Sequence, residues 1–346
     1  MSRDGSIGIL EAIASGFSEV LAKPYLIIVP LVMDLVLWLG LQISIKPFTE
    51  PFARLMQDDG GANGPEAAKE VLALGNHVHL NELAALFVPS IFAGLSKENI
   101  LNWLVTFLAP PLAQGVDRDN IFSGFADGPF AIWSPPHWFA VVTIGALLFI
   151  LATFVLVLFR VPVARAVASR KGSAKDLIRE MAWAWIRLVG LLVLTGIAMM
   201  GILVPILIVA VILLVLGINI AIVIALALFT VGGMTAIYSF FVLDAMLLLQ
   251  IGPIDAIRTS FSLVRGRFGE CFRFAMICVL IQSGILHVWQ VLIENLPGFV
   301  IALLTNAFIG TGIAAATMIF FADRFRLIDH PARPHPKRPG VLSGLR

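Results

Sequence analysis

Residues 188–250 carry one formal charge, Asp244. No water-soluble domain buries an apolar run of that length around one helix pair without leaving oily surface exposed. Backbone amides find no water inside hydrocarbon, so a chain crosses a bilayer as helices or as a closed barrel. The apolar runs here are helix length and lack the residue-by-residue alternation of barrel strands. With 59% hydrophobic and 13% charged residues, the composition agrees and predicts an all-α, polytopic transmembrane bundle.

Clear spans are expected at Tyr25 to Ile45, Trp138 to Phe159, Cys271 to Ile293 and Phe299 to Ala322. Basic connectors decide how many more lie in 188–250, because short cytoplasmic loops are enriched in Lys and Arg. Arg160, Arg165, Arg170, Lys171, Lys175, Arg179 and Arg187 precede the block, and Arg258, Arg265, Arg267 and Arg273 follow it. Both connectors therefore read as cytoplasmic, which requires two spans with a turn near Leu216 to Asn219. Arg324, Arg326, Arg333, Lys337 and Arg338 put the C-terminal tail on the same side. Six spans with both termini inside follow. The resulting segments are a cytoplasmic amphipathic helix at 1–24, a first span at 25–46, an outer insertion at 47–137, the remaining spans at 138–330 and a disordered basic tail at 331–346.

The outer insertion is acidic and holds apolar pieces at Leu83 to Leu95 and Ile100 to Leu112, interrupted by Pro89, Pro110 and Pro111. They are too short to span and are expected as short helices on the outer interface or capping the bundle, ahead of a re-entrant hairpin. The first apolar run has no small-residue cleavage site, so it is expected to be an uncleaved anchor. Cys271 and Cys278 sit roughly 10 Å apart along one helix, too far for a disulfide.

An internal match is visible in Leu10 to Val20 and Ile254 to Val264, which align without a gap and share Ala12 with Ala256, Ile13 with Ile257, Phe17 with Phe261, Ser18 with Ser262 and Val20 with Val264. Apolar residues at helical spacing, Leu10, Ile13, Phe17, Val20 and Ile254, Ile257, Phe261, Val264, predict amphipathic interfacial helices along the cytoplasmic face, each turning into a span. A fainter copy at Asp176 to Arg179, continuing through Met181 and Trp185, predicts three quasi-repeated units of one interfacial helix and two spans.

The stretch Phe241-Val242-Leu243-Asp244-Ala245, with Gly252 to Phe268, resembles the central signature of a broad group of bacterial six-span membrane proteins. That group includes the membrane domain of some glycerophosphoryl diester phosphodiesterases. Ala12 to Pro30 is similar to the group's opening, while the long outer segment departs from it. The resemblance implies a six-span bundle in the bacterial cytoplasmic membrane and assigns no catalytic residue or cofactor. The soluble catalytic module of those phosphodiesterases is not evident here.

Ionisable groups inside hydrocarbon are functional candidates by default. Asp34 lies about nine residues into the first span, roughly 14 Å deep, and Gln282 and Asn306 reach similar depth in their own helices. They are expected to share a polar layer, either as structural glue or as a proton or cation site. Asp244, Arg258, Arg265 and Arg267 fall near the cytoplasmic boundary and are expected at the interface, with Asp244 meeting interfacial water or a nearby Arg. In the outer segment His77, His79 and Glu82, with His137, offer nitrogen and oxygen ligands, but no His-Glu-x-x-His helix accompanies them, and a solvated loop without metal is expected. Gly310, Gly312, Ala314 and Ala316 form a small-residue row suited to close helix packing. No phosphate-binding glycine loop or nucleophile elbow is present, and the basic tail suits anionic headgroups of the bilayer, not nucleic acid.

The residues thus point first to a non-enzymatic integral membrane protein that organises membrane components, with membrane-protein partners, or handles lipid. The alternatives are a transporter or export component moving a solute, proton or lipid near Asp34, and a metal-dependent enzyme using the outer segment. A reporter fused after Gly60 should be extracytoplasmic and one fused after Lys171 or Arg338 cytoplasmic; a cytoplasmic signal at Gly60 would overturn the orientation.

Overall fold

The computed structural model describes residues 7–40, 42–59, 65, 68–69, 71–72, 75, 80, 88–91, 132–170, 172–215, 221–292 and 296–329. Its elements are α1 (Ile9–Ala22), a 3-10 turn (Pro24–Ile27), α2 (Ile28–Leu39), β1 (Gln42–Ile43), α3 (Lys46–Asp59), β2 (Ile132–Trp133), α4 (Trp138–Val167), α5 (Ala174–Val215), α6 (Ala221–Ser239), α7 (Val242–Leu249), α8 (Pro253–Gly266), α9 (Phe268–Leu292) and α10 (Leu296–Asp329). The chain is an all-α polytopic bundle. Five segments among the described residues are long and apolar enough to cross a membrane: Trp138–Val167, Ala174–Ile202, Thr230–Leu249, Phe268–Ile285 and Leu296–Arg326. A sixth candidate is the pair Ile9–Ala22 and Pro24–Leu39, bent by 98°.

That bend corrects the first expected span. Pro24 disfavours helical geometry at Lys23, which leaves the helical region at φ −135° and ψ 67°, so α1 stops and the chain turns. Lys23 Nζ then donates to Glu19 at 2.5 Å and to the Ala166 carbonyl at the end of α4 at 3.1 Å, fixing the corner. Beyond it α2 has 12 residues, about 18 Å of rise, and is too short to cross a core roughly 30 Å thick alone. The chain leaves α2 at Gly40, and Gln42 and Ile43 pair in parallel with Ile132 and Trp133. The long insertion therefore begins and returns at one place. Within it Ala53, Ala68 and Val71 form a small core of their own.

The expected turn near Leu216 to Asn219 lies outside the described residues; α5 ends at Val215 and α6 begins at Ala221. After α6 the chain breaks at Phe240 and Phe241. The freed Tyr238 carbonyl accepts from Ser260 Oγ of α8 at 2.7 Å, which satisfies a polar group where water is scarce. Gln250, at φ 55°, closes α7 in the left-handed region. Arg187 donates to its carbonyl at 2.6 Å, and Arg170 donates to the carbonyls of Leu247, at 3.4 Å, and Leu248. Cations so placed satisfy the last carbonyls of a helix and oppose its dipole.

The core gathers around α10. Phe241 of α6–α7, Phe274 of α9 and Phe320 of α10 stack with ring centroids 4.1–6.3 Å apart, and all three are buried. On another side α1 runs antiparallel to α10: Ile7 N bonds Asp323 at 3.2 Å, and the Phe17 and Phe308 rings lie 5.5 Å apart. Between those ends Gly16 meets α10 backbone. A Cβ at Gly16 would stand 2.5 Å from Gly312 O and 2.6 Å from Ala316 N, and one at Gly312 would run into the Phe17 ring.

This packing corrects the expected oily stripe. The residues of α1 turned to the bundle are Ala12, Ile13, Gly16 and Val20, and those of α8 are Ala256, Ser260, Leu263 and Val264. Leu10 is 75% exposed, and Ile254, Ile257 and Phe261 are exposed as well. Three of the aligned positions, 12 with 256, 16 with 260 and 20 with 264, are buried in both helices. Lipid tails are as apolar as leucine, so large side chains gain little by turning inward, whereas small ones let backbones approach. α1 lies lengthwise against α10, itself a candidate span. Gly16→Leu should therefore cost about 3 kcal/mol or more, and Leu10→Ala should stay within about 0.5 kcal/mol of the parent. Thermal unfolding of the detergent-solubilised protein checks both.

Candidate functional site

Thr311 of α10 is buried and bonds back to the Ala307 carbonyl of its own helix; three further buried polar side chains of α10 are Asn306, Thr317 and Arg324. Their spacings of eleven and seven residues place them within about 20° of one another around the helix. They form a seam, with Thr317 about 16 Å and Arg324 about 27 Å along the axis from Asn306. Each level of the seam meets a charged group from another element.

At the first level stands Asp34, 0% exposed. It falls in the buried row Pro30, Met33, Asp34 and Leu37 of α2, so helical spacing aims it at the bundle. Its Oδ1 accepts from Ser90 Oγ at 2.5 Å and from the Ile91 N–H at 3.0 Å. Asn306 lies within interaction range of the same carboxyl. Among the described residues Asp34 Oδ2 and Asn306 Nδ2 have no hydrogen-bond partner. Segment 88–91 comes from the outer insertion and enters between α2 and α10. Pro89 presses on Gly310, where any Cβ would collide with its ring, and Ile91 is buried with Trp289, Phe299, Ala302 and Leu303. Of the two placements expected for Leu83 to Leu95, on the outer interface or capping the bundle, 88–91 packs against the bundle; the rest of that piece, and Ile100 to Leu112, lie outside the described residues. Non-helical backbone at this depth is tolerated only where protein or a cavity surrounds it.

At the second level Asp244, 2% exposed, pairs with Arg160 of α4 across 3.3 Å and stands beside Thr317. Of the two surroundings expected for Asp244, it meets a nearby Arg and is buried in the bundle, not set in interfacial water. At the third level Arg324, 3% exposed, donates through Nε to Glu270 of α9 at 2.8 Å, through Nη2 to the Ile7 carbonyl at 2.9 Å, and to Asp323. Its guanidinium also lies 4.7 Å from the Phe320 ring centre. This arginine ties α1, α9 and α10 at one point.

The other expected residues separate. Gln282 is exposed on α9 and does not join Asp34 and Asn306, so the layer of three becomes a pair completed by Ser90. Arg258 and Arg265 are exposed, and Arg267 is half-buried 3.8 Å from Glu270. Cys271 and Cys278 are buried free thiols. His77, His79 and Glu82 lie outside the described residues, His137 is exposed, and no cluster of three metal-ligating side chains occurs among the described residues. Arg160, Arg324, Glu270 and Ser90 were missed as site residues. The basic pair was legible only as flanking charge, although Arg160 sits inside the apolar run of α4.

Removing one partner of a buried ion pair strands the other charge. Arg160→Met should cost about 3–5 kcal/mol, and adding Asp244→Leu should restore most of it. The unfolding temperatures of the two variants in one detergent make the comparison. No family model, curated protein or solved structure matches this chain.

Proposed function

We propose that this chain is a transporter or export component of the bacterial cytoplasmic membrane, one that takes up a proton at Asp34 while moving a solute or lipid. The observation carrying this reading is the fully buried Asp34 carboxyl, which among the described residues faces only the Ser90 hydroxyl, the Ile91 N–H and the neutral Asn306 side chain, with no cation beside it. A carboxylate in an apolar interior costs several kcal/mol unless its lone pairs are satisfied. Structural glue would be better served by a neutral amide, which hydrogen-bonds without that cost. An exchangeable proton explains why an acid stands there.

The broken backbone beside it fits the same reading. Transporters place ion sites near the midplane where discontinuous segments meet spanning helices, and 88–91 reaches Asp34 from outside the regular helices. An organiser of membrane components, the first reading of the sequence, draws on the bundle surface and needs no buried acid. An enzyme using the outer segment would depend on His77, His79 and Glu82, for which the described residues supply no support. The likeness of Gly252 to Phe268 to the six-span bacterial group supports the membrane, and the basic connectors support termini inside.

In vesicles carrying a pH-sensitive dye, the protein should support a proton flux that Asp34→Asn lowers at least tenfold, with an unfolding temperature within a few degrees of the parent. Unchanged flux, or a variant that simply fails to fold while Asp34→Glu also fails, would return Asp34 to a structural role.

A further inference from the structure

A cleft of about 400 Å³ opens between α4, α5 and α7 at the basic end of the bundle. Its walls are of two kinds. Val161 and Ala164 of α4, with Met246 and Leu247 of α7, are apolar, while α5 contributes Arg179, Trp183 and Arg187 together with the acids Asp176 and Glu180. Arg179, Trp183 and Arg187 recur every fourth residue, so they stand in one row about 12 Å long on a single helix face. On the Arg179 side of this row Ile186, Val193 and Ile197 of α5 are exposed, and their spacing puts them on one apolar track along the helix.

The two acids of the cleft are already engaged. Glu180 pairs with Arg170 and accepts from Gln250 Nε2 at 2.9 Å. Asp176 accepts from the N–H and hydroxyl of Ser173 at 2.8 and 2.9 Å, capping the start of α5, and Arg179 acts on it only at longer electrostatic range. Arg187 spends Nη1 on the neutral Gln250 carbonyl at 2.6 Å. Arg179 is exposed and has no hydrogen bond or ion pair with the described residues. The cleft thus presents two guanidinium groups neither of which is in an ion pair with a carboxylate among the described residues.

We infer that this cleft holds the phosphodiester headgroup of an anionic phospholipid, with Arg179 and Arg187 on the phosphate, Trp183 at the glycerol level and an acyl chain along Ile186, Val193 and Ile197. A guanidinium matches a phosphate oxygen pair in shape and charge. Tryptophan settles where apolar and aqueous layers meet. The apolar track beside the two arginines selects a lipid over a free phosphate, which would gain nothing from it. This assignment stands independently of any role for Asp34.

The full chain, purified in detergent, is exposed to equal amounts of phosphatidylglycerol and phosphatidylcholine, and bound lipid is counted by native mass spectrometry. The parent should retain phosphatidylglycerol preferentially. Arg179→Gln, which breaks no bond within the bundle, should lower that preference about fivefold, and Arg179→Gln with Arg187→Gln should abolish it. Arg258→Gln, an exposed arginine of α8 at the same end, should leave it unchanged. Equal retention of the two lipids, equal loss in Arg258→Gln, or displacement of the lipid by millimolar inorganic phosphate would overturn the inference.

Discussion

The contact of Gly16 with the backbone of α10 at Gly312 and Ala316 is the constraint on which the rest of this bundle depends. Inside a bilayer burial of oily surface gives helices little reason to associate, because lipid offers the same surroundings. Dispersion between close backbones replaces it, and only residues without bulk permit the approach. The small-residue face of α1 thereby decides where α1 lies, and α1 decides where its 98° corner turns α2. That corner is what brings Asp34 to Asn306. A helix packed by leucines at the same place would hold the two segments farther apart and leave the acid beside lipid.

The polar groups follow a different logic. Two buried charges at α10 are each met by a group from a helix distant in the chain: Asp244 by Arg160, and Arg324 by Glu270. A mispaired bundle would strand these charges in hydrocarbon, at a cost larger than any single apolar contact supplies. They therefore contribute specificity of arrangement more than net stability. Asp34 is the exception along the seam. Its partners are a hydroxyl, a backbone amide and a neutral side chain, so no fixed cation stands over it among the described residues.

Solvent and architecture were legible in the sequence because they depend on composition and period. The run at 188–250 and the basic connectors name a helical membrane bundle before any contact is known, and the aligned pairs Ala12 with Ala256 and Val20 with Val264 mark positions that are buried in both helices. The face was misjudged. Large apolar residues mark the core side of a helix in water, but α1 and α8 turn Leu10, Ile254 and Phe261 outward, while Ala12, Gly16, Ala256 and Ser260 share the buried face with Ile13, Val20, Leu263 and Val264. Depth counting found Asp34 and Asn306, yet it treats all azimuths alike and so admitted Gln282, which faces away. Ser90 was invisible for another reason. Nothing in a loop sequence says that it re-enters, and the complement of Pro89 is a glycine more than two hundred positions later.

The bond from Ile7 to Asp323 joins residues 316 positions apart. During synthesis α1 leaves the ribosome first and α10 last, and at 5–20 residues per second the interval between them is roughly 15–60 s. Throughout that time Ala12, Gly16 and Val20 have no native neighbour, and the exposed leucines on the opposite face give α1 a temporary home in lipid. Closure of the bundle is thus a late event set by the arrival of the last helix. Any chain that ends before Gly312 is an open form, with its first helix still searching for a surface that has not been made.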